Sequence, residues 1–193
     1  ASKCAARHLV KVYRESYDMF AVHATLFNHE GTKRGEEFVT RKITKGVAKI
    51  KKALDSNQTI HPIELGNIYA KRDWSDSEDF VKGVNQENPR DYLLASGETH
   101  TIKEFVERAF LAAGIEGNWS EIEDDPLQTK FYSNSEEPKV LVKINEKFYR
   151  PNEVDLLLGD ASRAKFELGW KPEISFCNLV KRMVEHDLNE EGI

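Results

Sequence analysis

The stretch "FNHEGTKRGEEFVTRKI" (27–43) gathers Asn28, His29, Lys33, Arg34 and Lys42 within sixteen residues. An apolar run precedes it and an amphipathic one follows, so these side chains sit where a strand ends and a helix begins. In open α/β sheets, ligands lie outside the strand C-termini, and the start of a helix favours anions. Basic groups at such a junction suit a phosphate-bearing ligand, and a plain charged surface loop is the other reading. "KRDW" (71–74) and "FYRPNEVD" (148–155) each place an arginine beside an aromatic residue. Arg72 and Arg150 have the planar donors to fork a diphosphate, or to form ordinary surface ion pairs. Glu153 could accept hydrogen bonds from sugar hydroxyls. Lys3, in the first turn of the opening helix, is by itself a solvated side chain.

Other chemistries are absent from the pattern. There is no GxxGxxG, no P-loop and no defensible Ser-His-Asp set, and six histidines and two cysteines show no ligand spacing, so no metal is expected. Cys4 and Cys177 fall on separate helices and suit a reducing cytoplasm better than a disulfide framework. A net charge of −5 with dispersed basic residues argues against nucleic acid as partner. No apolar run reaches the ~20 residues that span a bilayer, so no membrane association is expected. With 193 residues, 39% of them hydrophobic and 32% charged, the chain can bury a core of its own.

The elements that must position these groups follow from periodicity. Residues 2–17 read as a helix with Ala5, Leu9, Val12 and Tyr13 on one stripe, and 19–27 as a buried strand. Residues 28–37 read as a charged loop. A helix starts near Phe38, with Val39, Ile43, Val47, Ile50 and Leu54 along one face, and stops at Ser56-Asn57. Short strands are expected around the Gly66-Asn67 turn. Ser75-x-x-Glu78 reads as a capping box opening a short helix, and Thr101-x-x-Glu104 as a second one. "DYLLAS" (91–96) and "KVLVKI" (139–144) read as strands, and 121–138, acidic and turn-rich, as a surface loop. Helices ending at Gly169 and covering 175–188 complete an α/β alternation with some parallel sheet.

Seven stretches carry a more specific signal: "ASK", "YRESYDMFAVHATLFNHE", "RGEEFVTRKIT", "LGNIYAKRDW", "DYLLASGETHT", "EKFYRPNEVDLLLGD" and "LGWKP". In this order, over nearly the whole chain, they resemble the GDP-mannose 4,6-dehydratase family of the extended short-chain dehydrogenase/reductase superfamily. A sister nucleotide-sugar epimerase or dehydratase is disfavoured by "FVTRKI" and "YRPNEVD". The resemblance implies the C-terminal part of an NAD(P)-binding Rossmann fold plus a small α/β substrate lobe. Residues 1–38 and 73–96 would belong to the first, and 39–72 and 97–193 to the second. It implies that "ASK" ends a Tyr-x-x-x-Lys motif, so that the catalytic Tyr and the glycine-rich loop lie upstream and the chain by itself is inactive.

The activity implied is conversion of GDP-D-mannose to GDP-4-dehydro-6-deoxy-D-mannose by internal hydride transfer through NADP, the first step of GDP-fucose synthesis. Residues four apart share a helix face, so Lys3 would lower the Tyr pKa and hold the nicotinamide ribose. His29 and Arg34 match cofactor contacts. Asn28, Val39, Lys42, Arg72, Arg150 and Glu153 match positions that hold GDP-mannose. A homo-oligomer, dimer or tetramer, is expected, with the loop around Arg34 as a subunit contact. The chain departs from the family at Gly31-Thr32, Lys33, Glu37 and Ser75-Asp76-Ser77, and in a shortened helix after Val84. Glu37 would repel a diphosphate if it pointed inward. A non-catalytic fragment or pseudoenzyme keeping only nucleotide-sugar or oligomer contacts is the alternative.

Overall fold

A computed structural model describes residues 1–84, 87, 89–122, 125–149 and 154–193. Arg150 and Glu153 lie outside the described residues. The helices are α1 (Ser2–Tyr17), α2 (Val39–Asp55), α3 (Ser77–Val84), α4 (Ile102–Ala112), α5 (Ser162–Leu168) and α6 (Phe176–Glu191). The strands are β1 (Ala24–Leu26), β2 (Asn28–Glu30), β3 (Ile63–Leu65), β4 (Lys71–Arg72), β5 (Trp74–Asp76), β6 (Tyr92–Leu94), β7 (His100–Thr101), β8 (Gly117–Ser120), β9 (Lys130–Ser133), β10 (Val140–Ile144) and β11 (Leu156–Leu157). The α/β class expected from the alternation is what the chain adopts.

The main core lies between three helices and a four-stranded sheet of order β3-β10-β9-β8, with β3 and β10 parallel and the other pairs antiparallel. Helix α2 buries Ile43, Val47 and Ile50, the stripe that its spacing implied. It packs on α6, and α4 packs on both. Trp74 joins this layer to β5: its ring lies edge-on to Phe105 at 5.4 Å and stacks on Phe176 at 5.9 Å. A smaller cluster of Phe80, Tyr92, Leu94, Ala164 and Trp170 fills the space between α3, β6 and α5. Among the described residues no helix is long and apolar enough to cross a membrane.

Four local expectations are corrected. The run 19–27 is a strand only over Ala24–Leu26, because β6 offers just three residues in register with it. The backbone then changes partner at Phe27, whose N–H still donates to Leu94 O at 3.0 Å. Asn28–Glu30, expected as loop, pairs with β5 in parallel, Glu30 opposite Asp76. Ser75 does not cap α3: it belongs to β5 with its hydroxyl buried, and Asp76 Oδ1 accepts the Glu78 N–H at 2.8 Å instead. Finally, part of 121–138 is sheet, since β9 sends Phe131 into the core against Phe110 and Trp119.

The second capping box holds by half. Thr101 Oγ1 accepts the Glu104 N–H at 3.0 Å, while the Glu104 carboxylate turns to His100 Nδ1 at 2.9 Å.

Candidate functional site

The change of partner at Phe27 creates the site. Strand β2 presents alternate residues to opposite sides, so Asn28 and Glu30 line a cavity of about 500 Å³. Between them, His29 lies toward α3, its ring 5.7 Å from Phe80 and its Nδ1 3.0 Å from Phe27 O. The loop 31–38 returns over the cavity through two turns, Arg34 N–H to Gly31 O at 3.0 Å and Phe38 N–H to Gly35 O at 3.2 Å. It delivers Arg34 and Glu37 to the wall and ends at α2, whose Val39, Thr40 and Lys42 continue it. No side chain caps the start of α2, and its first turn holds no acidic residue. The partial positive charge of that helix end therefore faces the cavity, with the Glu30 carboxylate, hydrogen-bonded to Thr40 of its first turn, beside it.

The opposite wall comes from β3, β4 and β5. Asp73, fully buried, accepts hydrogen bonds from Ser96 N, Ser96 Oγ, Gly97 N and Gly159 N at 2.6–3.2 Å. A carboxylate tied this way fixes the β4–β5 junction, so that Arg72 and Trp74 on either side of it both reach the cavity. Arg72 Nη1 also donates to Lys71 O at 2.8 Å and to Val154 O at 2.5 Å. With Lys71 N–H to Asp155 O at 2.7 Å, this lays the chain after residue 153 alongside β4. At the rim, Gly66 is required: a Cβ there would collide with the Phe148 carbonyl.

Charge in the cavity is mixed, with Arg34, Lys42, Arg72 and Lys147 set against Glu30 and Glu37. Lys42 Nζ lies 3.5 Å from the centre of the Phe148 ring, a cation–π contact. Burial lowers its pKa and the neighbouring Lys147 lowers it further, while Glu64 pulls it back up. Burial pushes the Glu30 carboxyl above the usual range, opposed by the Thr40 hydrogen bond and by the Arg34 charge.

Of the expected site residues, Asn28, Arg34, Val39, Lys42 and Arg72 are thus brought to one cavity. His29 and Lys3 do not line it, and Lys3 stands on α1, which buries no residue. Glu37, whose direction decided its effect, does line it. Glu30, Thr40, Trp74 and Phe148 went unnoticed in the sequence. The signal for Glu30 was there: an Asn-His-Glu strand puts the first and third residues on one side. Elsewhere, ligand atoms of His186, Asp187 and Glu190 lie within 4.8 Å of one another. Arg41 Nη2 stands 2.9 Å from Asp187 and 3.3 Å from Glu190, so that cluster already holds its cation.

The fold is that of Rossmann-type NAD(P)-binding epimerases and dehydratases. Superposition on RMD of Pseudomonas aeruginosa, solved with NADPH, gives a TM-score of 0.71 at 20% identity, covering 97% of this chain and 55% of that one. The UDP-glucose 4-epimerase of Thermotoga maritima gives 0.70 at 15% identity, covering 97% and 52%. Within that class, the family model described as GDP-mannose 4,6 dehydratase matches residues 1–183, and the chain belongs to this family. It is 45% identical to the GDP-mannose 4,6 dehydratase of Dictyostelium discoideum over 191 residues, 97% of this chain and 51% of that protein. With the human protein of the same name it shares 41% over 192 residues, 97% and 49%. The chain spans about half the length of these curated relatives.

Proposed function

We propose that this chain supplies the nucleotide-sugar side of a GDP-mannose 4,6-dehydratase, a carbon–oxygen lyase. One observation carries the reading. Residues from three separate stretches, Asn28, then Arg34, Val39 and Lys42, then Arg72, line a single cavity with a helix N-terminus on its wall. Its volume of about 500 Å³ lies inside the range of roughly 300–1,000 Å³ usual for small-molecule sites.

In that cavity Arg72 and Lys42 neutralise the diphosphate, with α2 adding its dipole. Lys42 gives up solvation on Phe148 and regains it as charge pairing when the anion arrives. Asn28 offers an amide to the phosphate or sugar, and Val39 an apolar contact. Arg150 and Glu153 belong to the same site by family likeness, as diphosphate and ribose contacts. The substrate is GDP-D-mannose, dehydrated to the 4-dehydro-6-deoxy sugar with internal hydride transfer through a nicotinamide cofactor, NADP. Lys3, His29 and Arg34 are its proposed contacts. Only Arg34 of the three lines the cavity, where it also faces the phosphates of the nucleotide sugar. Residues 1–38 and 73–96 would continue the Rossmann part and the remainder the substrate lobe, in a cytoplasmic homo-oligomer.

The test is calorimetric titration of GDP into the chain. A dissociation constant of about micromolar order is expected, weakened about tenfold or more in Arg72→Ala, which loses a charge-assisted phosphate contact. A folded chain that binds no GDP overturns the reading in favour of a fragment without ligand contacts.

A further inference from the structure

Glu30 has no task in the reading above, yet it stands on the wall of a cavity meant for an anion. It is only 3% exposed, a position where a carboxylate is costly unless it is paired. Thr40 Oγ1, in the first turn of α2, donates to its Oε2 at 2.6 Å. Arg34 Nε lies 3.2 Å from the same oxygen. That Nε is buried and out of line for a hydrogen bond, so charge, and not a well-formed donor contact, holds the two groups together. The Arg34 guanidinium carbon sits 3.4 Å from the centre of the Phe38 ring. Arg34 is therefore held on two sides, by a carboxylate at its Nε edge and by an aromatic face beneath it.

We propose that Glu30 is a positioning residue of this cavity: anchored by Thr40, it fixes Arg34 by its Nε edge against Phe38 and leaves Nη1 and Nη2 for a phosphate group of the ligand. The proposal rests on the reading of the cavity as a nucleotide-sugar site. A long arginine loses rotamer freedom when it grips a ligand, and a guanidinium already fixed loses less. The turn from Gly31 to Arg34 brings the arginine back over β2, and the Thr40 hydroxyl in the first turn of α2 sets the carboxylate. Two effects of opposite sign compete in Glu30. Its charge repels a phosphate, while its hold on Arg34 strengthens binding. The shared burial of carboxylate and Nε makes the second effect prevail, because the negative charge is already balanced by Arg34 before the ligand enters.

The test compares GDP and guanosine binding to the full chain and to Glu30→Gln, Arg34→Ala and the double variant. Each single variant should weaken GDP about tenfold while leaving guanosine unchanged. The double variant should be no weaker than either single one, because both remove the same contact. Thr40→Val, which keeps the charge and removes only its anchor, should weaken GDP by about threefold and have no further effect once Arg34 is alanine. Equal or tighter GDP binding by Glu30→Gln would make the carboxylate merely repulsive and overturn the proposal. So would independent, multiplying losses in the double variant, or a parallel loss of guanosine, which marks general damage to the fold. Absence of GDP binding by the unaltered chain would overturn the functional reading and this inference with it. The other failures strike Glu30 alone.

Discussion

Helices α1 and α2 are nearly the same length, 16 and 17 residues, and both carry an apolar stripe at helical spacing. Their fates differ completely. Ile43 and Val47 of α2 are fully buried under α6 and α4, whereas Leu9, Val12 and Tyr13 of α1 are each at least half exposed. Periodicity establishes that a helix has an apolar side. What covers that side depends on the rest of the fold, and in this chain α2 is covered and α1 is not. The described contacts of α1 with the remainder include Arg14, which pairs with Asp91 Oδ1 at 2.8 Å and donates to Ala21 O at 3.0 Å.

The comparison would break most visibly in the core. Phe105 is fully buried on α4, edge-on to both Trp74 and Phe176. Phe105→Ala should cost about 4 kcal/mol of unfolding free energy by denaturant titration, the transfer and cavity terms together. Leu9→Ala, on the exposed stripe of α1, should stay within about 0.5 kcal/mol. Comparable losses at the two positions would mean that α1 is covered after all and that the two helices belong to one cooperative unit.

A middle-sized effect belongs to the start of α4. Thr101→Ala removes the acceptor of the Glu104 N–H and should cost about 1 kcal/mol, read from the same titrations. Ser75→Ala should not behave like the loss of a cap, since Asp76 performs that service for α3. If Ser75→Ala matched Thr101→Ala, the hydroxyl would be supporting α3 in solution as its sequence position suggested.

These two residues also show what the sequence makes legible. Thr101 and Ser75 head the same S/T-x-x-E pattern, and only one caps a helix, because the pattern does not say that Ser75 is still bound into β5. Long amphipathic segments such as α2 and α6 were readable, since many residues agree on one period. Strands of two to four residues were readable only in part: β3, β4 and β6 fall in runs read as strands, whereas β2, β8 and β9 were missed because so few residues vote. At 121–138 the acidic composition outweighed the alternation of "KFYS", whose Phe131 is core. The same weakness hid Glu30. With Asn28–Glu30 taken as loop, nothing linked Glu30 to Asn28, and the carboxylate beside Arg34 went unnoticed. Asn28, Arg34, Lys42 and Arg72 were legible from their types and positions and Val39 through family likeness, and the cavity that joins them is a tertiary fact.

The smallest effect sharpens the contrast at the hinge between the two regions. Asp91 accepts from Arg14 and from the His23 N–H at 3.1 Å, and the Arg14 hydrogen bond is the main cause holding its pKa below the usual carboxylate value. A carboxyl with a lowered folded pKa contributes stability above its unfolded pKa, near 3.9, and that stability is lost as pH falls through the folded value. Acidification below about pH 4 should therefore loosen α1 while α2 keeps its core contacts. Amide hydrogen exchange checks this directly: protection in residues 2–17 should fall on acidification, and Arg14→Ala should reproduce the fall at neutral pH. Equal loss of protection in α2 would place the two helices on one footing, because a single surface ion pair cannot govern a helix whose stability comes from buried Ile43, Val47 and Ile50.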